Sequence, residues 1–315
     1  MTVCAGVDIG GTKVLGVALD TDDPGTVLAE ARAPTPEGEV ALLDAMAAVV
    51  RQLGDAVEAV GVGIAGLVDR AGVLRVSPNL PGLRGVDVVA EMQRRLALPV
   101  RVDNDATCAA WGEHQAGAAR GADDAVLVTL GTGIGAGLIA DGELARGAHG
   151  FGGEAGHMVV DPHGPPCPCG RWGCWERFAS GSGLARLGRE AAEAGRLPRA
   201  RELAGGEWAL VRGEHVHLAA REGDPQALEV VRTFARWVAL GIGNLVTLVD
   251  CSLVVIGGGL VEMGDLLVEP VREAFLHDVM APEERLDVGI VAAQLGERAG
   301  AMGAAMLGGR EVGPA

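Results

Sequence analysis

The sequence predicts an α/β protein of two domains. Apolar, strand-like runs alternate with runs of helical period along the 315 residues. Glycine-rich bends follow several of the strand-like runs. The order strand, Gly/Thr bend, strand, turn also occurs twice, about 120 residues apart, which suggests a duplicated domain. A chain of this length is long for one ordinary domain and short for three.

The first expected strand, Thr2 to Val7, runs into Asp8-Ile9-Gly10-Gly11-Thr12-Lys13. A second follows from Val14 to Leu19, with a turn expected at Asp22-Asp23-Pro24-Gly25. Val40, Leu43, Ala47 and Val50 recur at helical spacing and predict a helix from Glu37 to Leu53. Val57 to Ile64 is mostly apolar and reads as a strand buried on both faces. A helix is expected at Asp87 to Leu96, a short strand at Val100 to Val102, and a small-residue helix from Ala106 to Gly117.

The opening pattern then returns. A strand from Ala125 to Leu130 leads into Gly131-Thr132-Gly133-Ile134-Gly135, a second strand spans Ala136 to Ala140, and Asp141-Gly142 turns the chain. His157 to Gly173 is rich in Pro, Gly and Cys and reads as a loop that needs an outside staple. Helices are expected at Gly183 to Ala194, Pro225 to Thr247 and Gly264 to Phe275. A strand from Ser252 to Ile256 runs into Gly257-Gly258-Gly259, and a small-residue helix closes the chain from Ala299 to Leu307.

Composition narrows the function. Hydrophobic residues make up 49% and charged residues 22%, a globular balance. The net charge of −16 argues against nucleic acid or an anionic membrane as the main partner. The longest uncharged stretch, Ala125 to Ala140, is shorter than the ~20 residues of a spanning helix and is broken by glycines. No basic, signal-type segment precedes Asp8, so a cytoplasmic protein is expected.

Strand-then-glycine loops let backbone N–H groups approach an anion without interference from a Cβ. There are three: residues 10–13, 131–135 and 257–259, with hydroxyls from Thr12 and Thr132 and a charge from Lys13, the only lysine. Singly, such a loop is more often structural; three together favour a polyphosphate ligand. None is a Walker A loop. Gly61-x-Gly63-x-x-Gly66 has the dinucleotide-binding spacing, but a turn rather than a helix is expected after it, so that reading fails its own context.

His157, Cys167, Cys169 and Cys174 form a complete tetrahedral Zn²⁺ set, and four protein ligands leave no position for water. Such a site is structural and would fold a loop that has no apolar core of its own. The alternative is three reduced cysteines in a mobile loop. Glu154, His157 and Glu176 bracket that loop, while Asn79 lies in the turn Ser77-Pro78-Asn79-Leu80-Pro81-Gly82. Asn104 and Asp105 end a strand, where Asp105 could equally be a helix cap. Amides and carboxylates suit a neutral polyol, because each can hydrogen-bond hydroxyls.

Glu154-x-Gly156-His157 followed by Gly164-x-x-Cys167-x-Cys169-Gly170-x-x-Gly173-Cys174-x-Glu176 resembles the signature of the ROK family (repressors, open reading frames, kinases). Asp8-Ile9-Gly10-Gly11-Thr12 and Leu130-Gly131-Thr132-Gly133 resemble its two phosphate motifs, and Asn104-Asp105-Ala106 its catalytic segment. Leu295-Gly296 through Ala299-Gly300 to Gly303-Ala304-Ala305 resembles its closing helix, so the likeness runs from about residue 3 to 308.

The resemblance implies an actin-like ATPase (RNase H-like) fold of two domains with a central cleft, here 1–117 plus 298–315 and 118–297. It implies ATP-dependent phosphorylation of a hexose, commonly glucose at the 6-hydroxyl, with Asp105 as general base. Gly66, Asn79, Asn104, Glu154, His157 and Glu176 would hold or approach the sugar, with His157 also on zinc. Gly10, Gly11, Thr12, Lys13, Gly131, Thr132 and Gly133 would cradle phosphates. Gly257, Gly258 and Gly259 would lie near the adenosine, and Asp8 would reach Mg²⁺ through water. Family members are often dimers or tetramers. Regulators in the family carry an additional N-terminal DNA-binding segment, for which no room is expected before Asp8. An N-acetylmannosamine or N-acetylglucosamine kinase is the alternative enzyme, and a non-catalytic sugar sensor the alternative of another class. A polyphosphate donor would favour a basic cleft, and arginine does not cluster at the glycine loops.

Overall fold

The computed structural model describes residues 2–80, 82–285 and 287–310. Pro81 of the expected turn and residues 311–315 of the first expected domain lie outside the described residues. Three strands open the chain as an antiparallel meander: β1 (Val3–Ile9), β2 (Lys13–Asp20) and β3 (Asp23–Pro34). The turn expected at 22–25 is displaced. Asp20 pairs with Asp23, so Thr21-Asp22 form the bend and Pro24-Gly25 belong to β3. Proline is tolerated there because β3 is the edge strand. Its mostly exposed pattern hid it from the sequence reading.

Helix α1 (Glu39–Gln52) buries Leu42, Leu43, Met46 and Val50, and β4 (Ala59–Ile64) is buried throughout. Short strands β5 (Leu67–Val68), β6 (Val73–Val76) and β7 (Val86–Asp87) form a separate antiparallel sheet. The G-x-G-x-x-G segment thus leads into a strand, and the helix that a dinucleotide site requires is not there. Asp87 caps α2 (Val88–Leu96), accepting from the Ala90 N–H at 2.9 Å. Strand β8 (Val100–Asn104) then passes directly into α3 (Asp105–Ala116).

The second series comprises β9 (Ala125–Leu130), β10 (Ile134–Ala140) and β11 (Glu143–Leu144). Helices follow: α4 (Glu176–Ala179), α5 (Gly181–Glu193), α6 (Pro198–Leu203), α7 (Gly213–Arg221) and α8 (Pro225–Val249). Strand β12 (Leu253–Gly257), α9 (Asp265–Asp278), β13 (Gly289–Ala292) and α10 (Ala299–Gly308) complete the chain. The short α6, α7 and β13 were not expected.

The two large sheets have the same strand order, β3-β2-β1-β4-β8 and β11-β10-β9-β12-β13. In each, the first strand of the series is central, the second and third lie to one side, and the fourth and fifth to the other. The repeat read from the glycine bends is therefore a repeat of topology. The chain divides into two compact units, residues 1–127, 136–153 and 293–315, and residues 128–135 and 154–292.

Within the first unit, α10 lies against β1, β4 and α3. Its approach requires glycine on the sheet. A Cβ on Gly6 would stand 1.8 Å from the Ala301 carbonyl oxygen, and one on Gly61 would stand 1.7 Å from that of Ala304. The composition of the closing helix follows from this contact, because backbone packs on backbone only where side chains are small.

Candidate active site and metal centre

In the first unit, the end of β1 carries Asp8 into the bend Gly10-Gly11-Thr12. The Gly10 N–H donates to the Lys13 carbonyl at 3.1 Å, and Thr35 ties the bend to β3 by donating its hydroxyl to the Gly10 carbonyl at 2.8 Å. Gly11 and Thr12 are exposed. Lys13, expected to face phosphate, pairs with Glu297, which also holds Arg32.

Asn104 and Asp105 sit where β8 becomes α3. The helix cap is Asn104, not Asp105: its side-chain oxygen accepts from the Thr107 N–H at 3.1 Å. Its amide also donates to the Gly66 carbonyl at 3.1 Å, joining two residues expected at the sugar. Gly66 has φ +133°, and a Cβ there would lie 2.4 Å from the Val76 carbonyl oxygen, so the turn excludes any side chain. Asn79 is exposed, on a turn held by the Ser77 hydroxyl, which accepts from the Leu80 N–H.

With capping delegated to Asn104, the Asp105 carboxylate is left at the first turn of α3. Burial raises its pKa, opposed by hydrogen bonds from the Ala106 N–H, its own N–H and the Asn104 side chain. Asp8 is pushed up to about 7, first by burial and then by the charge on Asp105, with Lys13 opposing. Asp8 therefore lies within reach of the Asp105 charge.

In the second unit, the Gly131 N–H donates to the Gly133 carbonyl at 3.0 Å, and the Gly181 N–H donates to the Gly131 carbonyl at 2.7 Å. Thr132 is exposed. Gly258 has φ +80° and packs on Leu130, where a Cβ would stand 2.5 Å from the carbonyl oxygen. The loops at 131–133 and 257–259 are thus brought together.

The donor atoms of His157, Cys167, Cys169 and Cys174 lie within 4.8 Å of one another. Cys169 Sγ is 3.5 Å from Cys174 Sγ, and Cys167 Sγ is 3.8 Å from His157 Nδ1. Tetrahedral zinc with Zn–S of about 2.3 Å and Zn–N of about 2.0 Å requires edges of roughly 3.5–3.8 Å, so the residues fit the ion. Cys169 is held down at about 7: burial opposes ionisation, but the Arg171 N–H and the neighbouring thiols outweigh it.

His157 faces two ways. Nδ1 points to the sulfur cluster and lies 3.8 Å from Glu176 Oε1, while Nε2 lies 3.8 Å from Glu154 Oε2. Glu176 opens α4 and accepts from the Cys167 thiol at 3.0 Å. Its other oxygen would lie 2.7 Å from a Cβ on Gly133. The expected sugar residues Glu154 and Glu176 therefore flank His157 of the metal set, and Glu176 also reaches the second glycine loop.

Two supporting residues were missed. Trp175, fully buried, donates its indole N–H to the Trp237 carbonyl at 2.7 Å and so fixes the residue before Glu176. Glu113, fully buried on α3, accepts from the N–H groups of Ala118, Gln294 and Leu295. A tryptophan between Cys174 and Glu176 was a usable signal; an isolated Glu113 in the helix gave none.

The sequence matches the ROK family over residues 4–311. The chain belongs to the ROK family. Among similar proteins, the glucokinase of Streptomyces coelicolor is 38% identical over 314 residues, covering 98% of each chain. The N-acetylmannosamine kinase of Escherichia coli O127:H6 is 36% identical over 304 residues, covering 94% of this chain and 98% of that one. A crystal structure of the ROK family glucokinase of Streptomyces griseus, in complex with glucose and AMPPNP, superposes with a TM-score of 0.87 at 39% identity. That match covers 97% of this chain and 99% of the other. The fold is accordingly the actin-like ATPase fold of ROK kinases.

Proposed function

We propose that this ROK-family chain is an ATP-dependent hexose kinase that phosphorylates glucose at its 6-hydroxyl, releasing ADP. The observation that carries the assignment is the Asn104–Asp105 arrangement. One residue caps the helix and binds Gly66, and the other is left with a raised pKa beside a second carboxylate.

Phosphoryl transfer depends on positioning and charge neutralisation more than on covalent help. Asp105, a stronger base than an ordinary aspartate, accepts the proton of the attacking hydroxyl. Gly66, Asn79, Asn104, Glu154, His157 and Glu176 orient the sugar. Residues 10–13 and 131–133 present N–H and hydroxyl donors to the phosphates, and residues 257–259 take the adenosine. Asp8 would hold Mg²⁺ through water, and the ion would supply charge neutralisation to the triphosphate. His157, Cys167, Cys169 and Cys174 would hold a structural Zn²⁺ through the thiolates and Nδ1, which would leave His157 Nε2 and Glu154 for the sugar.

The enzyme works on a small sugar and ATP in glycolysis, as a cytoplasmic homo-oligomer without nucleic acid or membrane. The acidic charge supports this, as do the exposed Leu248, Leu276 and Met280, which a subunit contact would cover. Among the described residues, no helix is long and apolar enough to cross a membrane. The second reading is an N-acetylmannosamine kinase, favoured by the similarity to the E. coli enzyme.

ADP release with Mg-ATP across glucose, mannose, fructose, N-acetylmannosamine and N-acetylglucosamine decides between them. Glucose preference lost in Asp105→Asn is the expected result. Such a loss is worth about 10²–10⁴ in kcat, with glucose binding within about threefold. Preference for an acetylated sugar would move the substrate, and full turnover by Asp105→Asn would overturn the base assignment.

A further inference from the structure

Of the six cysteines, Cys169 alone is exposed; Cys4, Cys108, Cys167, Cys174 and Cys251 are buried. The metal set therefore has one ligand open to solvent, and the cause is local. The Cys167 N–H donates to the Arg171 carbonyl at 2.8 Å and the Gly170 N–H to the Cys167 carbonyl at 3.0 Å, which closes a turn with Cys169 at its tip. Gly170 has φ +89°, and a Cβ there would meet nothing within 4 Å, so the tip stands in open space.

The other two thiols of the set are covered and fixed. Cys174 is fully buried and pairs with Val159 across an isolated bridge, and the N–H of the next residue, Trp175, donates to the Met158 carbonyl at 2.8 Å. Cys167 is buried, and its thiol donates to Glu176 Oε1 at 3.0 Å. Cys169 Sγ lies 3.5 Å from Cys174 Sγ. A disulfide of about 2.05 Å requires these sulfurs to close by roughly 1.5 Å, which side-chain rotation and a shift of the exposed tip supply. Only Gly170, Arg171, Trp172 and Gly173 separate the two cysteines, so closing the ring costs little chain entropy.

A sulfur that ligates zinc does so as thiolate, the nucleophilic form, and thiol oxidation follows thiolate character and exposure. We propose that Cys169 is a modification site for small hydroperoxides, and that its oxidation ends in a Cys169–Cys174 disulfide which expels zinc from the loop. With hydrogen peroxide, the Cys169 sulfur attacks one oxygen and the O–O bond breaks. The other oxygen leaves as hydroxide and takes a solvent proton to become water, and Cys169 is left as a sulfenic acid. The Cys174 sulfur then attacks the Cys169 sulfur, the S–O bond breaks, and the second oxygen leaves as water with a second solvent proton. The two sulfurs give up two electrons, and one peroxide is reduced to two waters.

The disulfide leaves His157 and Cys167 as ligands, two of the four that a structural zinc site requires. Helix α4, which carries Glu176, begins two residues after Cys174, and His157 is itself a ligand. Oxidation therefore releases both from the metal loop and lowers sugar affinity. This last consequence rests on the proposed hexose kinase reading; the oxidation and the zinc release rest on the metal set alone.

The test exposes the full-length, zinc-replete protein to one equivalent of hydrogen peroxide while a metallochromic chelator reads free zinc. Release is expected at least tenfold faster than with chelator alone, at about one zinc per peroxide consumed. Trypsin cleavage after Arg146, Arg171 and Arg177 places Cys167 and Cys169 on one peptide and Cys174 on another, so the disulfide joins the two and fragmentation shows which cysteine is bound. A Cys169–Cys174 bond is expected. Zinc retained through peroxide treatment, a bond to Cys167, no bond, or a protein that takes up no zinc overturns the proposal. Cys169→His keeps a four-ligand set and should release zinc at least tenfold more slowly than the parent; an equal rate counts against Cys169 as the point of attack. Should that variant hold no zinc, the bond map of the parent decides. Glucose affinity by calorimetry should fall at least tenfold on oxidation and return with reductant and Zn²⁺; an unchanged affinity overturns the link to the sugar. A protein that neither binds glucose nor turns over any sugar refutes the kinase reading and leaves the zinc release and the bond map intact.

Discussion

Asp8 and Asp105 meet at the ends of β1 and β8, and their proximity has a measurable consequence. Both are raised, and hydrogen bonds that favour the charged form oppose the rise at Asp105. Asp8, pushed to about 7, holds a proton in the folded chain over a range where an unfolded aspartate, at about 3.9, has lost it. Where the native state binds more protons, stability falls as pH rises. The Asp8 contribution is therefore unfavourable, growing from about pH 4 and complete above about pH 7. Asp8→Asn should melt several degrees above the parent at pH 8, with the gain vanishing towards pH 4, while kinase activity drops. Melting scans at the two pH values check it, and a lower melting temperature at pH 8 would show that the coupling is misread. The proposed metal-holding carboxylate would thus be kept at a cost in stability.

At the scale of elements, α3 is held at both ends by different means. Asn104 caps its start, and Glu113 near its end gathers N–H groups from Ala118, Gln294 and Leu295. The second of these fixes the segment entering α10, which places Gly300 against the Asp8 carboxylate and Glu297 on Lys13. Glu113→Gln replaces one acceptor oxygen with a donor and leaves a backbone N–H facing an amide. The expected loss is about 1–3 kcal/mol in urea unfolding, since a buried donor is left unsatisfied. A variant as stable as the parent would mean the segment finds other acceptors. Much of this scaffold was legible beforehand. The glycine bends, the buried β4, the zinc spacing and the Asn104-Asp105-Ala106 segment all announce themselves by residue type. Whether Asp105 was a helix cap stayed open in the sequence, because both Asn and Asp are good caps and only the backbone decides that Asn104 occupies the position. Glu113 and the Lys13–Glu297 pair escaped for a related reason: the partners that matter, Gln294 for Glu113 and Glu297 for Lys13, are 181 and 284 residues away, and no local pattern encodes them.

For the molecule as a whole, the metal set lies in one compact unit and the candidate base in the other. Zinc bound only by the native state stabilises the unit that holds it. Chelation, or Cys169→Ser, should therefore lower the melting of the second unit by about 10 °C or more and leave that of the first in place, giving two calorimetric transitions. Glucose affinity should fall at least tenfold in the same preparation, because His157 and Glu176 are oriented by the metal loop. One unshifted transition with normal affinity and no zinc by elemental analysis would remove the metal from the account.

The matching strand orders allow a position-by-position reading. Two residues before the first loop glycine stands Asp8 in one sheet and Thr129 in the other. The Thr129 hydroxyl is occupied by its own hairpin, accepting from the Gly135 N–H at 3.2 Å and donating to the Gly135 carbonyl at 3.3 Å. Asp8 instead keeps an acidic group beside Asp105. If both halves descend from one ancestral half-molecule, the shape was inherited twice and the acidity kept once. At this position the two halves differ in one side chain: one keeps an acid beside the proposed base, and the other spends its hydroxyl on its own loop.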